Sequence, residues 1–361
     1  MYRPYLQSLD KNKRILEIGP LASPMAPRED GYSQVFYTDI RSSEELKEFY
    51  GKHPSVDCEK IVEIDYVLQE NYAKTFHDLE KFDYVLASHV IEHMPRLISS
   101  LLDLAEILKD GGRLCLTIPD KRYCFDHYRY PTTFAEAYDI YHRGITNNPT
   151  AVMDFISNTT PNVMNDPAYW HINPCDYSFM LKNPHIVMGK DLYLQASDGK
   201  YIDVHFSVFT PESFLILIFY LTAFGLFPYE CEEFWPTEKG TFEFNVVLKR
   251  IFPYRPEDEQ EKARRLGAII VLLESIKDDT LQKSAVQEIY HFIDRELFEQ
   301  LVQERERLET EKNILEAQYQ SSSLESQQFI NSLLTSKSWK LTRPLRDIMR
   351  IAKTILVGKK R

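Results

Sequence analysis

The sequence predicts an α/β protein: a doubly wound, mostly parallel sheet of seven strands, with an inserted lid and a helical arm toward the C-terminal end. Three observations carry this expectation. Five short apolar runs within the first 120 residues each stop on a glycine or a polar residue, as strands buried on both faces do. Apolar residues at helical spacing follow the fourth run, so strands and helices alternate. Two further runs face each other across residues 236–240 and close the sheet as a hairpin.

The elements follow in order. Residues 14–18 form the first strand, which ends on Gly19; residues 35–38 form the second, which stops at Asp39. The third, residues 60–64, stops at Asp65, and the fourth, residues 82–87, runs into Ser88 and His89. Ile98, Leu101, Leu102, Ala105 and Leu108 share one helical face, and Gly111-Gly112 is expected to cap that helix. Residues 113–118 form the fifth strand, ending at Pro119-Asp120. From 120 to 208 the rhythm breaks into sequence rich in Tyr, His, Asn and Pro, with one helix expected at 134–141. This insertion is expected to cover the carboxyl ends of the strands, where open α/β sheets bind ligands. Thr210-Pro211-Glu212 supplies an N-cap, a proline at the first helical position and an early acid for a helix at 214–224. Strands at 229–235 and 241–249 complete the sheet. The domain therefore covers 1–252, a helical arm 253–320, and a linker with a basic tail 321–361. Leu301, Leu308 and Leu315 repeat every seven residues, but Arg305 and Lys312 at the partner positions limit the arm to a short coiled coil or a helix folding on the body. Self-association through it is expected rather than required.

Composition narrows the classes. With 43% hydrophobic and 27% charged residues in 361, wholesale disorder is excluded. The longest apolar run, 214–227, is too short to span a bilayer. A polar start without an apolar stretch predicts no secretory signal, and five cysteines without metal-ligand spacing predict a reduced, cytoplasmic chain without structural zinc. The net charge of −11 is unevenly spread: residues 336–361 carry nine Lys or Arg and one Asp, which leaves −19 on residues 1–335. So acidic a body argues against nucleic-acid binding, which needs basic surface to neutralise phosphates.

Candidate site residues cluster at strand ends. Gly19 lets backbone approach a ligand, since no Cβ intervenes. Asp39, about 20 residues on, is placed to accept both ribose hydroxyls of a nucleoside, and Asp65 could accept from an adenine amino group. Taken singly, Asp39 also reads as an N-cap and Asp65 as a solvated turn acid. Together with Glu17, these acids would repel a pyrophosphate but suit a nucleoside that carries a sulfonium and an ammonium, which favours S-adenosyl-L-methionine over a dinucleotide.

These segments resemble the motifs of class I S-adenosylmethionine-dependent methyltransferases over about residues 10–252. The stretch 82–93, with its Glu92-His93 pair, resembles that family's fourth-strand motif, and 108–114 resembles the approach to its fifth strand. The resemblance implies a Rossmann-like fold in which Glu17 and Gly19 line the methionine end, Asp39 the ribose and Asp65 the adenine, with Pro20 and Ile40 beside them and Ser88 and His89 near the methyl group. One departure is plain: Gly19-Pro20-Leu21-Ala22-Ser23 stands where the family often has three spaced glycines.

Methyl transfer to a hydroxyl needs alignment and removal of a proton. His89, Asp126 and His127 are the candidate bases, with Asp120 beside them. His93 reads instead as a packing residue. Asp126 and His127 could alternatively ligate a metal, but their spacing specifies none, and no metal is assigned. The segment 119–129 is dense in aromatic and charged residues and resembles one in methyltransferases encoded with bacterial polysaccharide enzymes, which implies a saccharide or nucleotide-sugar acceptor. The alternative for these charges is that they pair with one another on a lid. A second class of function also stays open: a catalytically degenerate methyltransferase-like scaffold in a glycan-assembly complex.

The stretch 336–346 resembles a motif that ends many bacterial glycosyltransferases and sugar-modifying enzymes. Beyond it, Leu345, Ile348, Met349, Ala352, Ile355 and Leu356 share a helical face, with Arg346, Arg350 and Lys353 elsewhere. A basic amphipathic helix of this kind fits peripheral contact with the inner face of a membrane, each basic residue adding about 1 kcal/mol, or docking on glycan-assembly proteins. Removal of residues 336–361 is expected to move the protein from the membrane fraction to the soluble one, as read by fractionation; an unchanged distribution contradicts membrane contact.

Overall fold

The computed structural model describes residues 3–51, 56–160 and 186–277. Strands β1 (Arg14–Ile18), β2 (Gln34–Asp39), β3 (Tyr66–Val67), β4 (Phe82–Ser88), β5 (Leu108–Pro119), β6 (Tyr229–Trp235) and β7 (Glu243–Arg250) form one sheet in the order β3-β2-β1-β4-β5-β7-β6. The first five are mutually parallel, and β7 runs antiparallel to both β5 and β6. Continuous apolar runs make this possible: Ile15, Leu16, Val85, Leu86, Leu114 and Leu116 are all fully buried because layers cover both faces of the sheet. The doubly wound, mostly parallel architecture of seven strands is as expected.

Helices α1 (Ser43–Tyr50), α2 (Tyr72–Thr75), α3 (Leu97–Ile107), α4 (Phe134–Arg143), α5 (Pro149–Asn158), α6 (Ile186–Ser197) and α7 (Pro211–Ala223) accompany the sheet. Thr210 caps α7 with Pro211 in its first turn, and Phe214, Leu215, Leu217, Ile218 and Leu221 are buried along it. Burying such side chains stabilises the fold by roughly 1.5–3 kcal/mol each. Over one face of the sheet, a short 3₁₀ turn, Pro4–Ser8, takes the place of a helix. Tyr5 packs there with Ile15, Tyr37, Leu86 and Cys115, and its hydroxyl meets the Thr117 hydroxyl at 2.7 Å.

Three expectations are corrected. Residues 60–64 do not form the third strand. The Val62 N–H donates to the Leu21 carbonyl and the Ile64 N–H to the Ser43 hydroxyl, so this stretch bonds to a loop and to the start of α1 instead of a ladder, and β3 begins after Asp65. Gly111-Gly112 does not cap α3. That helix ends at Ile107, and the glycines sit in a bulge where Phe82 and Tyr84 of β4 face Leu108 and Arg113 of β5. A Cβ at Gly112 would stand 2.9 Å from the Lys109 carbonyl, so the bulge needs glycine there. The insertion carries α5 and α6 besides α4; Val152 and Ile156 of α5 pack with Ala196, Val204 and Phe206.

The chain divides into two units, Met1–Glu257 and Asp258–Arg361. The second is described through α8 (Glu259–Lys277), so the heptad leucines and the basic tail lie outside the described residues. Among the described residues, no helix is long and apolar enough to cross a membrane.

Thr117 also donates to the Asn245 side-chain oxygen at 2.7 Å, so the Tyr5 hydroxyl is the donor that completes this buried chain. Tyr5→Phe is expected to cost about 1 kcal/mol in denaturant unfolding with the fold retained.

Candidate functional site

Strand β1 lies between β2 and β4, so the chain leaves the sheet in opposite directions on its two sides, and a crevice opens at the carboxyl ends. A cavity of about 840 Å³ occupies it, walled by Gly19 and Leu21 after β1, Asp39 to Arg41 at the end of β2, and Ser88 to Val90 at the end of β4. Leu68 to Tyr72 form one further wall. Gly19 has φ +63°, and its N–H donates to the Thr38 carbonyl at 2.9 Å. A Cβ there would come within 3.3 Å of the Val90 side chain, so glycine keeps the floor open. Asp39 and Ile40 line the cavity as expected; Pro20 is buried and lies outside its lining.

Glu17 and Asp65 occupy other places than expected. Side chains alternate along β1, so Glu17 projects to the same face as Ile15. There its carboxylate accepts the Met25 N–H at 2.6 Å and the Ala26 N–H at 3.0 Å. It is 1% exposed and holds the loop after Gly19 in shape without lining the cavity. Asp65 accepts from the Tyr37 N–H at 2.7 Å and pairs with Arg28, which directs its carboxylate along the edge of β2 and away from the cavity.

The acidity at the cavity comes from different residues. Asp39 is joined there by Glu70, Asp103 and Asp203, against Arg41 and Arg96. Burial pushes the Asp39 carboxyl above its ordinary value, opposed by the N–H groups of Arg41 and Ile40. Burial would also raise Asp203, but hydrogen bonds from His93 and Tyr201 hold it below the usual carboxylate range. Asp203 and Tyr201 come from the insertion, which thus supplies one wall.

The family model described as a methyltransferase domain matches residues 3–162. The match takes in β1 to β5 and the residues at their carboxyl ends that wall the cavity. No curated protein matches the chain. Among solved structures, similarity extends to a SAM-dependent methyltransferase from Methanosarcina mazei, at 14% identity and TM-score 0.35, covering 69% of this chain and 98% of that one. It extends also to the methyltransferase CalH in complex with SAH, at 17% identity and TM-score 0.34 over 68% of this chain and 55% of that one. The DszA carbon methyltransferase follows at 15% and 0.32 over 69% and 50%. The chain thus spans nearly all of the first relative and about half of the other two.

Of the base candidates, only His89 reaches the cavity. It sits at φ +54°, a conformation rare for a side chain of its size. Its Nε2 donates to Glu243 at 2.8 Å, and its Nδ1 lies 3.6 Å from a Glu92 oxygen. Ser88 lines the cavity and accepts from Arg3 at 2.7 Å. Asp126 is corrected as a base: 1% exposed, it accepts from Arg129 at 2.8 Å and from the His205 Nδ1 at 2.5 Å, and it stays outside the lining. His127 is corrected likewise. Its Nδ1 bonds the Arg122 carbonyl at 2.6 Å, and it is half-buried outside the cavity lining. Asp120 is buried under Arg122 and the Thr237 hydroxyl. The dense charges of 119–129 therefore pair largely with one another. Sequence reasoning missed Asp203, Asp103 and Glu70; Asp203 alone carried a signal, two residues before His205 in an alternating stretch.

Burial raises the Glu17 carboxyl from 4.5 to about 7, against the two backbone N–H groups that favour its charged form. The folded chain then keeps a proton that the unfolded chain gives up. The stability this confers is complete below about pH 4.5 and is lost as pH rises through 7. Glu17→Gln is expected to remove that slope, on the order of 3 kcal/mol between pH 4.5 and 7, in denaturant melts across the range.

Proposed function

We propose that the methyltransferase domain moves the methyl group of S-adenosyl-L-methionine to a hydroxyl of a saccharide, a nucleotide sugar or a surface glycan. The observation that carries the donor's placement is the convergence of Gly19, Asp39 and Ser88-His89 on one cavity. Asp39 accepts the ribose hydroxyls, Ile40 packs on the adenine, and the open floor at Gly19 takes the amino-acid end. The surplus of carboxylates favours a donor that carries a sulfonium and an ammonium. The sulfonium has already activated the methyl carbon, so the chain's task is alignment: the acceptor oxygen is held in line with the carbon–sulfur bond, and its electron pair displaces the thioether.

The saccharide acceptor is supported by the resemblance of residues 119–129 and 336–346 to polysaccharide-pathway enzymes. Since 119–129 is largely self-paired, Tyr201 and Asp203 are the insertion residues that meet the acceptor, an aromatic face beside a hydroxyl acceptor. The tail docks the enzyme on a membrane surface or on glycan-assembly proteins.

Calorimetry should register S-adenosylmethionine binding, weakened about 10- to 100-fold by Asp39→Ala through loss of charge-assisted hydrogen bonds. Isotope-labelled methyl transfer screened against nucleotide sugars and cell-envelope glycan fractions reads the acceptor. Absence of binding heat favours a degenerate scaffold, and label in a non-saccharide acceptor overturns the glycan assignment.

A further inference from the structure

We propose that Glu92, His93 and His205 form a binding site for a divalent first-row transition ion, Mn²⁺ or Zn²⁺ by chemistry, beside the donor cavity. Glu92 is 0% exposed, and neither of its carboxylate oxygens has a hydrogen-bond partner among the described residues. The nearest imidazole nitrogen outside the cluster, His89 Nδ1, lies 3.6 Å from one of these oxygens, beyond hydrogen-bond reach. A buried carboxylate without a donor costs several kcal/mol, and a cation at this point offsets that penalty. The cation's other ligands are in place. One ligand atom from each of Glu92, His93 and His205 lies within 4.8 Å of the others, and the two imidazole rings meet edge to face with centroids 4.6 Å apart.

The imidazoles are oriented as ligands are. His93 Nδ1 bonds Asp203 at 3.0 Å, and His205 Nδ1 bonds Asp126 at 2.5 Å. Each bond fixes a tautomer with its proton on Nδ1 and leaves Nε2 as the lone-pair donor, the carboxylate–histidine arrangement that supports metal ligands. Arg129 anchors Asp126 in turn at 2.8 Å, and the Tyr201 hydroxyl donates to Asp203 at 3.1 Å. The backbone holds the cage as well: the Phe206 and Ser207 N–H groups both donate to the Glu92 carbonyl, at 2.7 and 3.1 Å. Two imidazoles and one carboxylate suit a first-row transition ion better than Mg²⁺ or Ca²⁺, and three protein ligands leave positions open for an exogenous oxygen.

His93 lines the donor cavity with His89, while Glu92 and His205 lie buried behind it, so the ion site borders the cavity through this one ligand. The role rests on the methyltransferase reading above. The acceptor hydroxyl binds the ion and loses its proton to solvent water. The oxygen's electron pair then forms the new O–CH₃ bond, and the pair of the broken C–S bond stays on sulfur to give S-adenosylhomocysteine. The ion thereby does what no base candidate in 119–129 is placed to do.

Full-length protein, stripped with chelator and dialysed, is titrated with Mn²⁺ and with Zn²⁺ by calorimetry, and bound metal is counted by elemental analysis. The expected result is one ion per chain. His205→Ala is expected to weaken binding at least 100-fold. Asp126→Asn, which keeps all three ligands, is expected to weaken it about 10- to 100-fold. S-adenosylmethionine binding in the same preparations reports folding and the donor site independently. Absence of stoichiometric metal in protein that binds S-adenosylmethionine overturns the metal site alone; so does equal metal affinity in His205→Ala. Metal binding without S-adenosylmethionine binding supports the site and removes its role in methyl transfer.

Discussion

A parallel sheet buried on both faces must release its strands at one edge, and the site depends on that constraint. β1, β2 and β4 are paired in register, so Gly19, Asp39 and Ser88-His89 emerge side by side although 70 residues separate the first from the last. The order of strands, with β1 between β2 and β4, opens the crevice at that point. Glycine at position 19 keeps it open, since a Cβ would press on Val90 and approach Asp39.

The carboxylates around this edge divide by their partners. Glu17 is held by two backbone N–H groups, Asp65 by Arg28 and Tyr37, Asp120 by Arg122 and Thr237, and Asp126 by Arg129 and His205. Each is satisfied within the fold, so each shapes a loop or positions another side chain. Asp39 faces the cavity, and Glu92 faces two imidazoles with no donor of its own among the described residues. Burial makes charge costly in both places, which is why their ligands are expected to be cationic: a sulfonium nucleoside at one, a metal ion at the other.

The insertion joins these two places. His205 and Asp203 lie more than 100 residues beyond Glu92 and His93, yet backbone hydrogen bonds to the Glu92 carbonyl bring the segments together. The chain after α6 (Ile186–Ser197) is thus a wall of the site, while 119–129, richer in polar side chains, is consumed by its own ion pairs. Chemical density in sequence did not predict nearness to the cavity. What decided it was which carboxylates found donors within the fold.

Local sequence was enough for six of the seven strands, because a strand buried on both faces must be an apolar run, and for α7 (Pro211–Ala223), because Thr210 and Pro211 write its start into the chain. It also placed Gly19, Asp39, Ser88 and His89 at strand ends. It misread Gly111-Gly112, whose conformational freedom serves a bulge as readily as a cap, and residues 60–64, whose backbone found partners in a loop and at the start of α1. Which face of β1 carries Glu17, whether Asp65 turns to ligand or to Arg28, and which imidazoles meet Glu92 were settled only in three dimensions. Hydrogen-bond partners distant in sequence choose the direction of a carboxylate, and the order of residues along a chain holds no record of them until the sheet and the insertion have packed.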